Sequence, residues 1–241
     1  RGLTELHALD KKRALEARLK AATGSAVVED LGALNAAYFP FLEARALFIE
    51  LTYYGPDLLN YAHGFSGLIE GAVEGEKRDQ LLAKLRANEA GFRKDFDAQV
   101  DEQLLGRLVD EYLEWIPVDL TPEGLRQEVS KAGGGPAWSA KVFGKSVFDN
   151  ADAMKKLLVS GNAKAWGKLV KDPVYIWIEN LRAHYFAQIA PEYGRLRGEI
   201  ELASGAYTKA LRRAFPEEVF PVDANSTLRL TYGKVEGSAP Y

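Results

Sequence analysis

The longest regular pattern of apolar positions begins at Asp172-Pro173. Val174, Ile178, Leu181, Tyr185, Ile189, Tyr193, Leu196, Ile200, Ala203, Tyr207, Leu211 and Ala214 follow in steps of four or three, the α-helical period. Asp172 suits an N-cap, Pro173 the first helical position, and Pro216 closes the run. Such a helix would be roughly 60 Å long at 1.5 Å per residue. Pro191 lies inside it, removes one backbone donor and crowds the carbonyl of Ala187, which predicts a kink rather than a break.

The same period recurs upstream. Leu3, Leu6, Leu9, Leu15 and Leu19, set among charges, predict an amphipathic helix ending near Gly24. The more apolar stretch from Val27 to Gly55 predicts a more deeply buried segment, with a bend or boundary at Pro40. Gly55-Pro56 reads as a stop, with Pro56 in the first turn of a helix running to about Gly71. Between Glu76 and Ile116, Phe92, Phe96, Val100, Leu104, Leu108 and Tyr112 recur every four residues as one slowly drifting helical stripe, which Pro117 ends. Thr121, Pro122 and Glu123 predict the cap and first turn of the next helix. The small residues of Ala132 to Trp138 predict a loop with freedom to move.

The tail changes period. Leu228, Leu230 and Tyr232 alternate with Thr227, Arg229 and Thr231, the signature of a half-buried strand, which needs partners to be stable. The expected class is therefore mainly α: a multi-helix domain over 1–218 with one kinked long helix, then a short strand region over 219–241.

Composition narrows the function. Of the 241 residues 47% are hydrophobic and 27% charged, with net charge −3, ordinary for a globular chain and without the basic stripe of a nucleic-acid binder. No apolar run has the length to cross a bilayer, so neither nucleic acid nor membrane is expected as a partner. The absence of cysteine excludes disulfides, thiolate catalysis and cysteine-ligated metals. The chain starts Arg1-Gly2 and reads as part of something longer.

No catalytic constellation stands out. His7, His63 and His184 are not at metal-ligand spacing and read as structural histidines; no metal or cofactor is expected. Ser66 in HGFSGL fails the nucleophile-elbow pattern, because the second glycine is misplaced and no strand precedes it. Gly161 to Leu169 is one residue too long for a phosphate loop and ends in Leu169 rather than Ser or Thr; the glycines at Gly133 lack a strand-then-helix context. Asp95/Asp97 and Glu217/Glu218 read as solvated, Tyr185, Tyr193 and Tyr207 as core packing, and the sequon Asn225-Ser226-Thr227 as uninformative.

The tail carries one specific signal. FPVDANSTLRLTYGKVEG, Phe220 to Gly237, resembles a signature stretch of the bacterial dipeptidyl-peptidase 7 and 11 family of chymotrypsin-like serine peptidases. KSVFDNADAMKKLL from Lys145, KDPVYIWIENL from Lys171 and RGLTELHALDKKRALEARL at the start are similar to family stretches in the same order, with Ser238 standing where the family has Tyr. The resemblance implies a double β-barrel peptidase with a large helical insertion that caps the cleft and gates peptide entry. It implies release of dipeptides from peptide N-termini by a Ser-His-Asp triad. The His and Asp would come from the barrel before the insertion and the Ser from a G-N-S-G-S motif after the tail. Also by resemblance, the Asn that holds the substrate's amino group would precede Arg1. The expectations are then no catalytic residue in this chain, substrate-binding residues unknown, a chain inactive alone, and the missing barrel lobe as partner. A periplasmic or secreted location and possible homodimerisation of the parent belong to the same implication. The alternative from a different class is a non-enzymatic helical binding module or adaptor.

Overall fold

A computed structural model of the chain describes residues 7–218. The alternating segment Thr227–Tyr232 and the expected strand region 219–241 lie outside them, as does the sequon. The described residues divide into two compact units, one of residues 29–203 and one of the paired segments 7–28 and 204–218. Among the described residues every regular element is helical.

In the paired-segment unit, α1 (Ala8–Thr23) ends where expected, on Gly24 in the left-handed region at φ 63°. Leu19 is fully buried and Leu211 nearly so. The Arg18 guanidinium sits 4.5 Å from the Phe215 ring centroid and pairs with Glu218 at 2.8 Å.

The larger unit begins within α2 (Val27–Ile49), which runs straight into a π-helical turn, Glu50–Tyr54. Short helices α3 (Asp57–His63) and α4 (Ser66–Ile69) come next, then α5 (Gly75–Asp95), α6 (Ala98–Trp115), α7 (Leu125–Ala132) and α8 (Gly135–Phe143). After α9 (Ala151–Ser160) and α10 (Ala163–Trp166) comes α11 (Pro173–His184), a second π-helical turn at Tyr185–Ile189, and α12 (Ala190–Ala214). α3 packs on α11 and α6 on α8. Leu51, Leu58, Leu59, Phe65, Leu105, Val109, Phe148, Met154, Trp166 and Val174 are fully buried; burying each such side chain stabilises by roughly 1.5–3 kcal/mol.

Asp172 starts α11 as expected and does more than cap it. Its carboxylate accepts from Val174 N and Tyr175 N, and also from Ser146 Oγ at 2.9 Å and Val147 N at 2.6 Å, tying the loop before α9 to the helix start. The irregularity expected at Pro191 takes the form of the π-helical turn just before it. Ala190 N–H reaches back to Tyr185 O, five residues rather than four, which makes room for a ring that supplies no donor.

Several expectations are corrected. α2 passes through Pro40 without a boundary; the burial expected of Val27 to Gly55 falls on its second half, at Ala44, Phe48, Leu51 and Thr52, while no position from Val27 to Pro40 is buried. Pro56 precedes α3 as its cap, and the expected helix to Gly71 is two short ones. The single stripe from Phe92 to Tyr112 is broken at Phe96 and Asp97, both extended; the Asp97 side chain caps α6 by accepting from Gln99 N and Val100 N. The four-residue spacing continues across the break by coincidence, because α6 buries Asp101, Leu105, Val109 and Tyr112 while Val100 is 62% exposed. α7 starts at Leu125 rather than at Thr121-Pro122, after Gly124 at φ 80°. The expected loop from Ala132 shrinks to Gly133 and Gly134 at φ 98° and 109°, and Gly135-Pro136 opens α8. That opening is packed hard against α6: a Cβ on Gly135 would lie 2.1 Å from Gly106 O, and one on Gly106 would lie 2.8 Å from Pro136 Cα. Small residues here serve a close helix crossing rather than a free loop.

Candidate functional site

Residues in and beside the two π-helical turns of the larger unit pack together. Such turns are rare and recur at functional sites, since the wider turn presents side chains that a regular helix would bury or stagger. Phe48, at the end of α2, stacks face to face on Tyr185 with ring centroids 3.8 Å apart, and both are buried. Around that pair Tyr53 and Phe186 stand edge-on to Phe48 at 6.2 and 6.1 Å. Both are about half exposed, and neighbouring Tyr54 is 77% exposed. Arg182 bridges the rim. It donates to the Tyr53 hydroxyl at 3.2 Å, and its guanidinium lies 5.5 Å from the Phe186 ring centroid. Burial raises the Tyr185 phenol pKa, opposed by Arg45. Farther along, Tyr38 packs on Tyr193 at 5.1 Å, with the Arg45 guanidinium the same distance from Tyr193. The result is an aromatic surface with two guanidinium groups, chemistry suited to peptide carbonyls, carboxylates and apolar side chains.

A second cluster is structural in character. Arg93 pairs with Glu89 at 3.0 Å and donates to Phe148 O at 2.6 Å and Asp149 O at 3.3 Å. Its guanidinium lies within 6 Å of the Tyr61, Phe92 and Phe96 ring centroids. The Tyr61 hydroxyl donates to Glu89; burial and that carboxylate push the phenol pKa well up. Beside it Arg86 donates to Leu158 O and Val159 O. An open groove of about 590 Å³ between α5 and α9 is lined by Arg86, Glu89 and Arg93 with Asp152 and Lys155, but its arginines are engaged with backbone carbonyls.

The profile of the Peptidase S46 family matches residues 1–241, the whole chain. The chain belongs to the peptidase S46 family. Within it, the chain is 32% identical over 206 residues to an Asp/Glu-specific dipeptidyl-peptidase of Flavobacterium psychrophilum, covering 83% of this chain and 28% of that one. It is 26% identical over 254 residues to dipeptidyl-peptidase 7 of Porphyromonas gingivalis, covering 100% of this chain and 34% of the relative. The crystal structure of Porphyromonas endodontalis DPP11 overlays with TM-score 0.54 at 18% identity, over 89% of this chain and 31% of that chain, a likeness of fold. This S46 chain thus spans about a third or less of the length of these relatives.

The histidines of this S46 chain are dispersed. His63 Nδ1 meets Glu179 Oε1 at 2.6 Å, a contact across 116 residues that local spacing could not reveal. His184 Nε2 lies 2.9 Å from Leu120 O, and His7 lies on the surface 3.4 Å from Asp10. Among the described residues no hydroxyl hydrogen-bonds to a histidine, so the His63–Glu179 contact is not part of a Ser-His-acid arrangement there. Ser66 opens α4, where Gly67 packs against Leu81 and Val73. Gly161 caps α9 and Asn162 caps α10, a turn between helices. Among the described residues no group of three or more His, Asp or Glu could hold a metal ion, and no helix is long and apolar enough to cross a membrane. Asp97 is the α6 cap and Glu218 pairs with Arg18, while Asp95 is exposed. Of the tyrosine stripe only Tyr185 is core; Tyr193 and Tyr207 are half-buried. The Tyr53–Arg182–Phe186 surface has one local trace in the sequence, the doublet Tyr53-Tyr54 ahead of Gly55.

Proposed function

We propose that this chain is the helical gating domain of a serine-type dipeptidyl aminopeptidase that releases dipeptides from peptide N-termini. The observation that carries the reading is the S46 match over the whole chain, with relatives that are dipeptidyl-peptidases about three times as long. The catalytic triad then belongs to parts of the polypeptide outside this chain, and 219–241 leads into the second barrel lobe. That no hydroxyl among the described residues bonds to His63 fits that division of labour. The helical domain closes over bound peptide and excludes water from the reaction. Its aromatic and guanidinium surface at the two π-helical turns is the part offered to the peptide. The parent enzyme works in the periplasm or outside the cell.

The test compares the 241-residue chain with the full polypeptide on a fluorogenic dipeptidyl substrate and a serine-reactive fluorophosphonate probe. The expected result is activity and labelling in the full polypeptide only. Phe186→Ala and Arg182→Ala in the full polypeptide are expected to raise KM several-fold, since losing an aromatic or guanidinium contact is worth about 1 kcal/mol or more. A full polypeptide that neither takes up the probe nor releases dipeptides would overturn the reading, and would favour the adaptor alternative.

A further inference from the structure

The most apolar stretch of α2 is also among its most exposed. From Leu31 to Leu42 the sequence reads LGALNAAYFPFL and contains no charged residue. None of these positions is buried, and Phe39 and Leu42 are 55% and 38% exposed. Helices that face water in this chain look different: α5, with GEKRDQLLAKLRANEAGFRKD, alternates charges along its length. A helix face without charges normally packs against something.

We propose that the face of α2 carrying Ala36, Phe39 and Leu42 is the surface on which the helical domain docks against the remainder of its own S46 polypeptide. This rests on the reading of the chain as one domain of a dipeptidyl-peptidase. Three observations select that occupant. The face is the convex side of a helix, unlike the concave sites that enclose small ligands or short peptides, so its partner is a broad protein surface. Gly32 and Ala36, on the same side of the helix as Phe39, keep it thin there, which lets another backbone approach closely. The S46 relatives carry roughly two-thirds of their length beyond the span matched here. That remainder is tethered, and a tethered partner acts at millimolar effective concentration; a second copy would have to compete with it.

The absence of cysteine makes a direct test possible. Phe39→Cys and, as a milder change, Ala36→Cys are introduced into both the 241-residue chain and the full polypeptide. Alkylation of each thiol is followed by peptide mass mapping against a denatured sample. In the chain both thiols are expected to react at close to the denatured rate. In the full polypeptide both are expected to react at least about tenfold more slowly, the protection a docked surface gives until it opens. Equal rates in chain and full polypeptide would overturn the proposal. So would slow labelling in the isolated chain together with a dimer mass, which would make a second copy the occupant. Dipeptide release by the wild-type full polypeptide is measured separately. An active enzyme with unprotected thiols defeats the docking face alone; protected thiols in a polypeptide without peptidase activity defeat the functional reading alone.

Discussion

Arg93 gives the sharpest energetic test of the larger unit. Its side chain is 17% exposed and that of Glu89 15%. Replacing it with alanine strands Glu89 with only the Tyr61 hydroxyl, and leaves Phe148 O and Asp149 O without their guanidinium donors. Removing one partner of a buried ion pair costs about 3–5 kcal/mol. The partial exposure lets water reach part of the site, so about 3 kcal/mol is expected. For a chain of this length each kcal/mol moves the midpoint by about 2–4 °C, so Arg93→Ala should melt about 6–12 °C lower by circular dichroism. Arg93→Lys keeps the charge but not the planar fork, and should recover about half of the loss. The effect should also be local. Arg93 fixes the loop entering α9, and Arg86 holds the carbonyls at its end, so amide exchange in Ala151–Ser160 should accelerate most. In a double-mutant cycle Glu89→Ala and Arg93→Ala should couple by about 1–3 kcal/mol. A midpoint within about 2 °C of wild type, or strictly additive losses, would refute the assignment of Arg93 as the clamp between α5 and α9.

Gly135→Ala should be more damaging than a glycine replacement in an exposed helix, because the new methyl would meet backbone oxygen at 2.1 Å and Asp110 Oδ1 at 2.7 Å; a loss of about 3 kcal/mol or more is expected in urea unfolding, and a loss below about 1 kcal/mol would show that α6 and α8 can part freely. Asp101, buried, accepts from Asp57 N and Leu58 N at 2.7 and 2.9 Å; burial raises its pKa from 3.8 to about 6 against those two donors. A carboxyl with a raised folded pKa favours folding below its unfolded pKa, and that contribution fades as pH rises through about 6. The melting difference between pH 5 and pH 7.5 should therefore shift toward higher stability at pH 5 in the wild type relative to Asp101→Asn. An unchanged difference between the two proteins would contradict the assignment.

Period and capping chemistry made the long elements legible. The α11–α12 run, the Asp172 cap, the Gly24 end of α1 and the helix–turn–helix at Gly161-Asn162 all arise from residues within one or two turns of each other. The failures share a cause. The stripe from Phe92 to Tyr112 kept its spacing through a break, because Asp97 caps a new helix without changing the count. Gly133 to Pro136 read as a loop because composition cannot distinguish a flexible glycine from one that admits another backbone, here that of Gly106. Hydropathy did not separate the exposed first half of α2 from its buried second half, because both are apolar and only tertiary packing distinguishes them. The candidate surface was hidden for a similar reason. Phe48 meets Tyr185, and Arg182 meets Tyr53, across more than 100 residues, where no local spacing records the contact. The tail FPVDANSTLRLTYGKVEG pointed to the family although 219–241 lies outside the described residues.

The two π-helical turns also govern which lengths of chain this fold tolerates. Each holds one residue more per turn than the helix around it would, and a single residue of an α-helix corresponds to about 100° of rotation and 1.5 Å of advance. Tyr185–Ile189 therefore acts as a phase adjuster between α11 and α12. Deleting one residue between Phe186 and Ile189 would restore regular winding locally and leave the side chains beyond it in nearly the same phase, keeping Tyr193 against Tyr38 and Arg45. Elsewhere in α12 the same deletion would leave Phe48–Tyr185 untouched and rephase only the residues C-terminal to it. Insertions and deletions along this helix are thus not equivalent, and a library of single-residue deletions through 174–203 should show its mildest loss of fold at the turn that already carries the extra residue.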